Sequence, residues 1–328
     1  MFLDILLLVV GLVLLLGGGD VLVRGAVGTA SLLGVSTLII GLTVVAFGTS
    51  APELAVNLFA VYQNNTDVSF GNIIGSNIAN VGLILGAAAL YRPLDIQPSI
   101  VAREIPMMLV ATAAVAIMAF DALLFDSTDA IARGDGMILL LLFGAFMFYM
   151  LRDALSQRKK DAYLSEMEAE IKQQEKPASM LVSLALLVAG LCAVTGGGKL
   201  TVDAAVNIAQ TIGLSQAVIG LTVVAIGTSL PELATSVMAA RRGHTDIAMG
   251  NVVGSNIFNL LLIMGVTATC RPIPIPDAGH TDLIVMAVLS IALLPIAFIG
   301  RNNISRREGA LLLAAYVGYL TWRTVTSL

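Results

Sequence analysis

Apolar residues in this chain neither alternate with polar ones nor recur on one helical face; they run on for about 17 to 25 positions, stop at a short polar turn and start again. At 1.5 Å per residue, about 20 such residues cross a hydrocarbon core of about 30 Å. The runs predict spans near residues 2–23, 29–62, 69–91, 100–120, 136–152, 179–198, 208–240, 248–270, 281–299 and 308–326. The expected fold class is therefore an all-α integral membrane protein with ten transmembrane helices. The second and seventh runs are longer than one crossing needs and contain Pro52 and Pro231, which predicts tilted or broken helices. The first run lacks a basic start, carries Asp4 and shows no small-residue cleavage site before Gly17, so it reads as a retained helix rather than a signal peptide.

Composition agrees: 57% of residues are hydrophobic and 12% charged, against about 25% charged in soluble domains. Ten spans sort the 18 basic residues into fourteen on one side and four (Arg133, Lys199, Arg271 and Arg323) on the other. By the positive-inside bias both termini lie outside the cytoplasm. Between Arg152 and Pro177 six basic residues mix with six acidic ones, which reads as a solvated cytoplasmic linker over 153–178 separating residues 1–152 from 179–328. Cys192 and Cys270 sit in or beside apolar runs and form neither a disulfide framework nor a thiolate metal motif. No basic stripe points to nucleic acid.

Residues 41–93 and 220–272 align without a gap at an offset of 179, with 29 of 53 positions identical. The informative matches are polar: Thr49/Thr228, Ser50/Ser229, Glu53/Glu232, Asn72/Asn251, Ser76/Ser255, Asn77/Asn256 and Asn80/Asn259. A lipid-facing helix avoids such residues. With five spans in each half, an odd number, the second copy enters the membrane from the opposite side, which predicts two inverted five-helix repeats of the kind that alternate access around a midplane site.

Within GTSAPE and GTSLPE, proline lacks an N–H and crowds the carbonyl four residues back, at Gly48 or Gly227, and disfavours α geometry at the residue before it. Carbonyls over 46–49 and 225–228 are then expected to leave the helix ladder and seek other partners, a bound cation among them. Glu53 and Glu232 each follow a threonine by four residues, one face of a resumed helix. A carboxylate at mid-membrane costs about 2.5–3.5 kcal/mol, and no lysine, arginine or histidine in the matching spans offsets it. Two glutamates carry the charge that one divalent ion neutralises. Asn72, Ser76 and Asn80 recur at i, i+4, i+8, as do Asn251, Ser255 and Asn259, adding neutral oxygens along one stripe of each helix. Carboxylate, hydroxyl, amide oxygen and carbonyl suit hard cations such as Ca²⁺, Na⁺ or Mg²⁺. Taken singly, the serines and asparagines also serve as interhelical hydrogen-bonding residues. Asp67 and Asp246 read as helix caps. No nucleophile–base set or phosphate-cradling loop marks an enzyme.

At GTSAPE…GNIIGSNIAN and GTSLPE…GNVVGSNIFN the chain resembles the two α-repeats of the cation/Ca²⁺ antiporter superfamily, and in particular bacterial sodium/calcium exchangers related to the potassium-dependent branch. The resemblance implies Na⁺/Ca²⁺ exchange in a bacterial inner membrane by a chain functional as a monomer, with the ions as substrates and no cofactor. It implies Glu53 and Glu232 as chief Ca²⁺ ligands, joined by Thr49, Thr228 and the carbonyls near Ala46 and Ala225. It further implies that Ser50, Ser229, Ser76 and Ser255 form Na⁺ sites, with Asn80 and Asn259 completing the centre. Family members often carry aspartate at one of the last two positions; here both are asparagine, so potassium use is not implied. The alternative is Ca²⁺ or Mn²⁺ exchange for H⁺, although the calcium/proton branch shows GN-[AS]-x-E in place of GTS-x-PE.

Overall fold

The computed structural model describes residues 1–63, 65–121, 129–168, 179–211, 227–299 and 302–326, with backbone alone for 157–168. Eleven helices make up almost all of this: α1 (Phe2–Leu33), α2 (Thr37–Thr49), α3 (Ala51–Tyr62), α4 (Thr66–Tyr91), α5 (Ile100–Ala119), α6 (Arg133–Glu168), α7 (Met180–Thr211), α8 (Leu230–Arg242), α9 (Thr245–Cys270), α10 (Gly279–Ile299) and α11 (Arg306–Thr326). Among the described residues, α1, α4, α5, α6, α7, α9 and α10 are each long and apolar enough to span a bilayer, and α2 with α3 makes an eighth span as a pair bent by 40°. The first part of the expected seventh span, 212–226, lies outside the described residues, as does the linker beyond Glu168.

Three boundaries differ from expectation. The first helix runs ten residues beyond the predicted end at 23 and stops at Gly34, whose left-handed backbone (φ 64°, ψ 42°) lets its N–H reach Ala30 O and Ser31 O. Ser36 then caps α2 by accepting from the Ile39 N–H at 3.3 Å. Elsewhere α6 continues from the fifth span into the linker as one helix to Glu168, and α7 runs to Thr211, thirteen residues past the expected end at 198 and over the first four residues of the expected seventh span.

The length of α1 has a tertiary cause. It packs antiparallel along α7, its equivalent at the 179 offset, through a seam of small residues: a Cβ on Gly18 would meet Ala193 and Val194, one on Gly190 would meet Leu22, and one on Gly197 would meet Leu14 and Leu15. Contacts at 11, 15, 18, 22 and 25 follow a 3.5-residue repeat, so the seam stays on one face and the backbones approach closely. α4 and α9 lie at the centre, buried nearly all round. Gly250 and Gly254 of α9 abut the backbone of α2 at Leu38, Gly41 and Leu42. For Gly71 and Gly75, their equivalents in α4, the described residues offer no such neighbour, and the corresponding partner segment falls within 212–226.

Each copy also reaches into the other at the periphery. Two short antiparallel ladders join β1 (Leu94–Asp95) to β4 (Asn303–Ile304) and β2 (Ala130–Ile131) to β3 (Ile273–Pro274). β1 and β3 are equivalent positions of the two copies, so each strand following a central helix pairs with the loop between the last two spans of the other half. α4 meets α11 where Gly86 faces Gly309, and α9 meets α6 where Gly265 faces Gly136.

Candidate functional site

The backbone break of each repeat falls on its serine. Ser50 has φ −87°, ψ 0° and Ser229 has φ −90°, ψ 5°, while Ala51 and Leu230 already begin the next helix with proline in its first turn, where no N–H is required. The distortion expected at the residue before proline is thus displaced by one position. It does not free the Ala46 carbonyl, which accepts from the Ser50 N–H at 3.0 Å. Ala225 lies outside the described residues. Asp67 and Asp246 stand inside the first turns of α4 and α9 and cap neither; Asp246 instead accepts from Gln97 Nε2 at 2.7 Å.

Restarting the helix at 51 and 230 turns Glu53 and Glu232 inward against α4 and α9, where they are 2% and 1% exposed. Four polar bonds then tie the copies together. Thr49 Oγ1 donates to Asn251 Oδ1 at 3.1 Å, and Asn72 Nδ2 donates to Thr228 Oγ1 at 3.3 Å, the equivalent pair with the copies exchanged and the donor and acceptor roles reversed. Ser50 Oγ donates to Glu232 Oε1 at 3.2 Å, and Asn80 Nδ2 to Asn256 Oδ1 at 2.9 Å. Asn80 and Asn259 both sit in π-helical turns, Asn80–Leu85 and Phe258–Ile263, where the widened ladder re-aims a side chain.

What distinguishes this cluster is what stays unpaired. Among the described residues Glu53 Oε2, Ser76 Oγ, Asn80 Oδ1, Ser229 Oγ, Glu232 Oε2, Ser255 Oγ and Asn259 Oδ1 are buried and have no hydrogen-bond partner. A buried oxygen left unsatisfied costs about 1–3 kcal/mol, and more if charged; these seven are half of the fourteen such side-chain atoms among the described residues, and six of them come as equivalent pairs from the two copies, oxygens open to a partner that the chain itself does not supply. The donors fit a cation: two carboxylates and five neutral oxygens, with no cluster of three or more His, Cys, Asp and Glu among the described residues. Of the twelve predicted site residues, these seven are buried with an unpaired oxygen, Thr49, Thr228 and Ser50 bond across the copies, the Ala46 carbonyl is engaged within its own turn, and Ala225 lies outside the described residues.

Sequence reasoning missed Asn57 and Ser236. Asn57 Nδ2 donates to the Glu53 carbonyl at 2.7 Å and to Asn72 Oδ1 at 2.8 Å; at the equivalent place Asn251 Nδ2 donates to Ser236 Oγ at 3.0 Å. Both are completely buried. One turn beyond each glutamate, they hold the asparagines that brace the cross-copy threonines. Their spacing from the glutamates was the available signal. Met108 of α5 was also missed; its Sδ accepts from Asn256 Nδ2 at 3.5 Å, fixing the amide that receives Asn80.

A bundle of membrane-spanning helices with an oxygen-lined, doubly carboxylated core shared by two halves defines a carrier of cations. The comparisons with known proteins make this more particular: the family model described as sodium/calcium exchanger protein matches residues 3–152 and 182–325, and the chain belongs to that family. The putative antiporter CaxA of Alkalimonas amylolytica is 38% identical over 94% of this chain and 95% of its own length. The sodium/calcium exchanger MaX1 of Methanosarcina acetivorans is 33% identical over 97% of each. Among solved structures, the sodium-calcium exchanger NCX_Mj soaked with Na⁺ and Sr²⁺ superposes with a TM-score of 0.82 at 32% identity, covering 98% of both chains. The protein is thus a multi-pass membrane cation/Ca²⁺ antiporter, of a transporter family and not an enzyme family.

Proposed function

We propose that the chain exchanges Na⁺ for Ca²⁺ by alternating access around the core between α3, α4, α8 and α9. The observation that carries this reading is the set of seven unpaired buried oxygens supplied by both copies. Glu53 and Glu232 neutralise one Ca²⁺ and the serine and asparagine oxygens complete its shell; when Ca²⁺ leaves, the same oxygens hold Na⁺, so that one site occupied alternately couples the two fluxes. Sodium as the counter-ion is supported by the family and by the relatives named as sodium/calcium exchangers.

The proposed architecture is ten spans in two inverted five-helix repeats, 1–152 and 179–328, joined by a cytoplasmic linker over 153–178. Support comes from the reciprocal contacts Thr49–Asn251 and Asn72–Thr228, and from the two ladders, each pairing the strand after one central helix with a loop strand of the opposite half. The charge bias places both termini outside the cytoplasm, in a bacterial inner membrane. Each half supplies part of one site, so a monomer suffices.

The test is uptake of Ca²⁺ into proteoliposomes under an outward Na⁺ gradient, with K⁺ and pH gradients imposed separately. Wild-type chain takes up Ca²⁺ with Na⁺ alone, and Glu53→Gln and Glu232→Gln each abolish it. Uptake driven by a pH gradient with Na⁺ absent assigns the chain to H⁺ exchange instead.

A further inference from the structure

A second polar constellation lies away from the ion core, where α1 passes α8. Asp20 and Arg24 of α1 and Arg241 and Arg242 of α8 rim an open crevice of about 470 Å³ whose remaining walls are Leu16, Gly17 and Met238. Asp20 organises the rim: Arg242 Nε donates to its Oδ1, and Arg24 Nη2 lies 3.0 Å from its Oδ2. Arg241 has no ion pair among the described residues. Three guanidiniums face one carboxylate, leaving two positive charges in excess, and each guanidinium has five donors of which Asp20 takes few. Planar forks of this kind match the oxygens of a phosphate.

The crevice opens onto an apolar track. Val9, Val13 and Leu16 are 51%, 64% and 51% exposed and, at spacings of four and three, share the face of α1 that carries Asp20 and Arg24. Arg24 lies about 33 Å along the helix axis from Phe2, one hydrocarbon thickness from the far end. The basic rim thus sits at an interface, with the apolar stripe running from it into the bilayer.

The repeat supplies a control. At the 179 offset the corresponding positions are Lys199, Asp203, Tyr62 and Gln63, with no surplus of positive charge. The excess is confined to the rim, shared by α1 and α8, that the charge bias assigns to the cytoplasmic face, where anionic headgroups concentrate. That assignment rests on the orientation proposed above.

We propose that this crevice binds an anionic phospholipid, its headgroup phosphate held by Arg24, Arg241 and Arg242 and an acyl chain laid along Leu16, Val13 and Val9. The test reads binding without transport, so it stands or falls separately from the exchange assignment. Full-length chain is taken from bilayers of equal phosphatidylglycerol and phosphatidylcholine, without Na⁺ or Ca²⁺, and its retained lipids are counted by native mass spectrometry. Phosphatidylglycerol should be retained over phosphatidylcholine and should survive 10 mM inorganic phosphate. Arg241→Gln, which breaks no ion pair among the described residues, should cut its retention at least threefold, and Arg24→Gln with Arg241→Gln at least tenfold, while Lys199→Gln at the position equivalent to Asp20 leaves it unchanged. Equal retention of the two lipids, wild-type retention by the double variant, or displacement by inorganic phosphate would overturn the proposal.

Discussion

Replacing Glu53 by glutamine should have opposite effects on the ion-free and ion-bound protein. Glu53 is 2% exposed and its Oε2 has no hydrogen-bond partner among the described residues, as is true of Glu232 Oε2. An unpaired buried polar atom costs about 1–3 kcal/mol, and a carboxylate at mid-membrane about 2.5–3.5 kcal/mol on insertion scales. An amide of nearly the same shape removes the charge and leaves the steric contacts, so without ions the variant should melt higher than wild type, by an amount equivalent to about 1–3 kcal/mol. With Ca²⁺ the order reverses. A ligand at a hundred times its Kd stabilises the folded state by about 2.7 kcal/mol, a gain the variant forgoes because it lacks one of the two charges that balance the ion. The assay is thermal unfolding of detergent-solubilised chain, followed by tryptophan fluorescence or loss of monodispersity, in chelator and across a Ca²⁺ titration. A Glu53→Gln protein that is less stable than wild type in chelator, or that keeps the Ca²⁺-dependent rise, refutes the assignment of this carboxylate to a cation and returns it to a structural role.

Other outcomes follow from the same geometry. Asn57→Ala strands Asn72 Oδ1 and the Glu53 carbonyl, which it contacts at 2.8 and 2.7 Å, and should weaken Ca²⁺ activation of uptake by about tenfold while transport persists; unchanged activation removes Asn57 from the bracing of the site. Gly190→Ala sets a Cβ 2.5 Å from the Leu22 backbone and should lower stability by about 1–3 kcal/mol, read as a fall in melting temperature, whereas Gly196→Ala, with no neighbour among the described residues within 4 Å, should be neutral or slightly stabilising. At the connection before α9, burial and then Arg242 hold the His244 imidazole below its ordinary pKa while Asp246 opposes them. The unfolded chain therefore takes up this proton first, and stability present at neutral pH declines as pH falls through about 6.5; His244→Asn should flatten that part of the melting profile.

The chemistry of the site was readable in the sequence because the membrane makes it conspicuous. Glu53, Ser76 and Asn80 are polar residues inside apolar runs, and each recurs 179 positions later, so neither packing nor chance accounts for them. Asn57 and Ser236 escaped because the copies use different residue types there, an amide in one and a hydroxyl in the other, for one bracing contact. Met108 escaped because a methionine in an apolar helix looks like filling until its sulfur is seen against Asn256. Local rules placed the break beside Pro52 but chose the wrong residue: proline is comfortable in a first turn, so the helix restarts before it and Ser50 absorbs the bend. The end of α1 was misjudged because Gly17, Gly18, Gly19 and Arg24 look like a boundary to hydropathy, whereas the partner that keeps the helix going, α7, is more than 150 residues away.

The reciprocal bonds between Thr49 and Asn251 and between Asn72 and Thr228 make the halves creditors of one another. Neither can close its own inventory of donors and acceptors: cut at the linker, each fragment would expose a threonine and an asparagine whose complements are on the other. Two separately encoded halves should accordingly accumulate only when expressed together. Position 57 against 236 marks where the two equivalent helices have ceased to be interchangeable, an amide in one and a hydroxyl in the other performing one task.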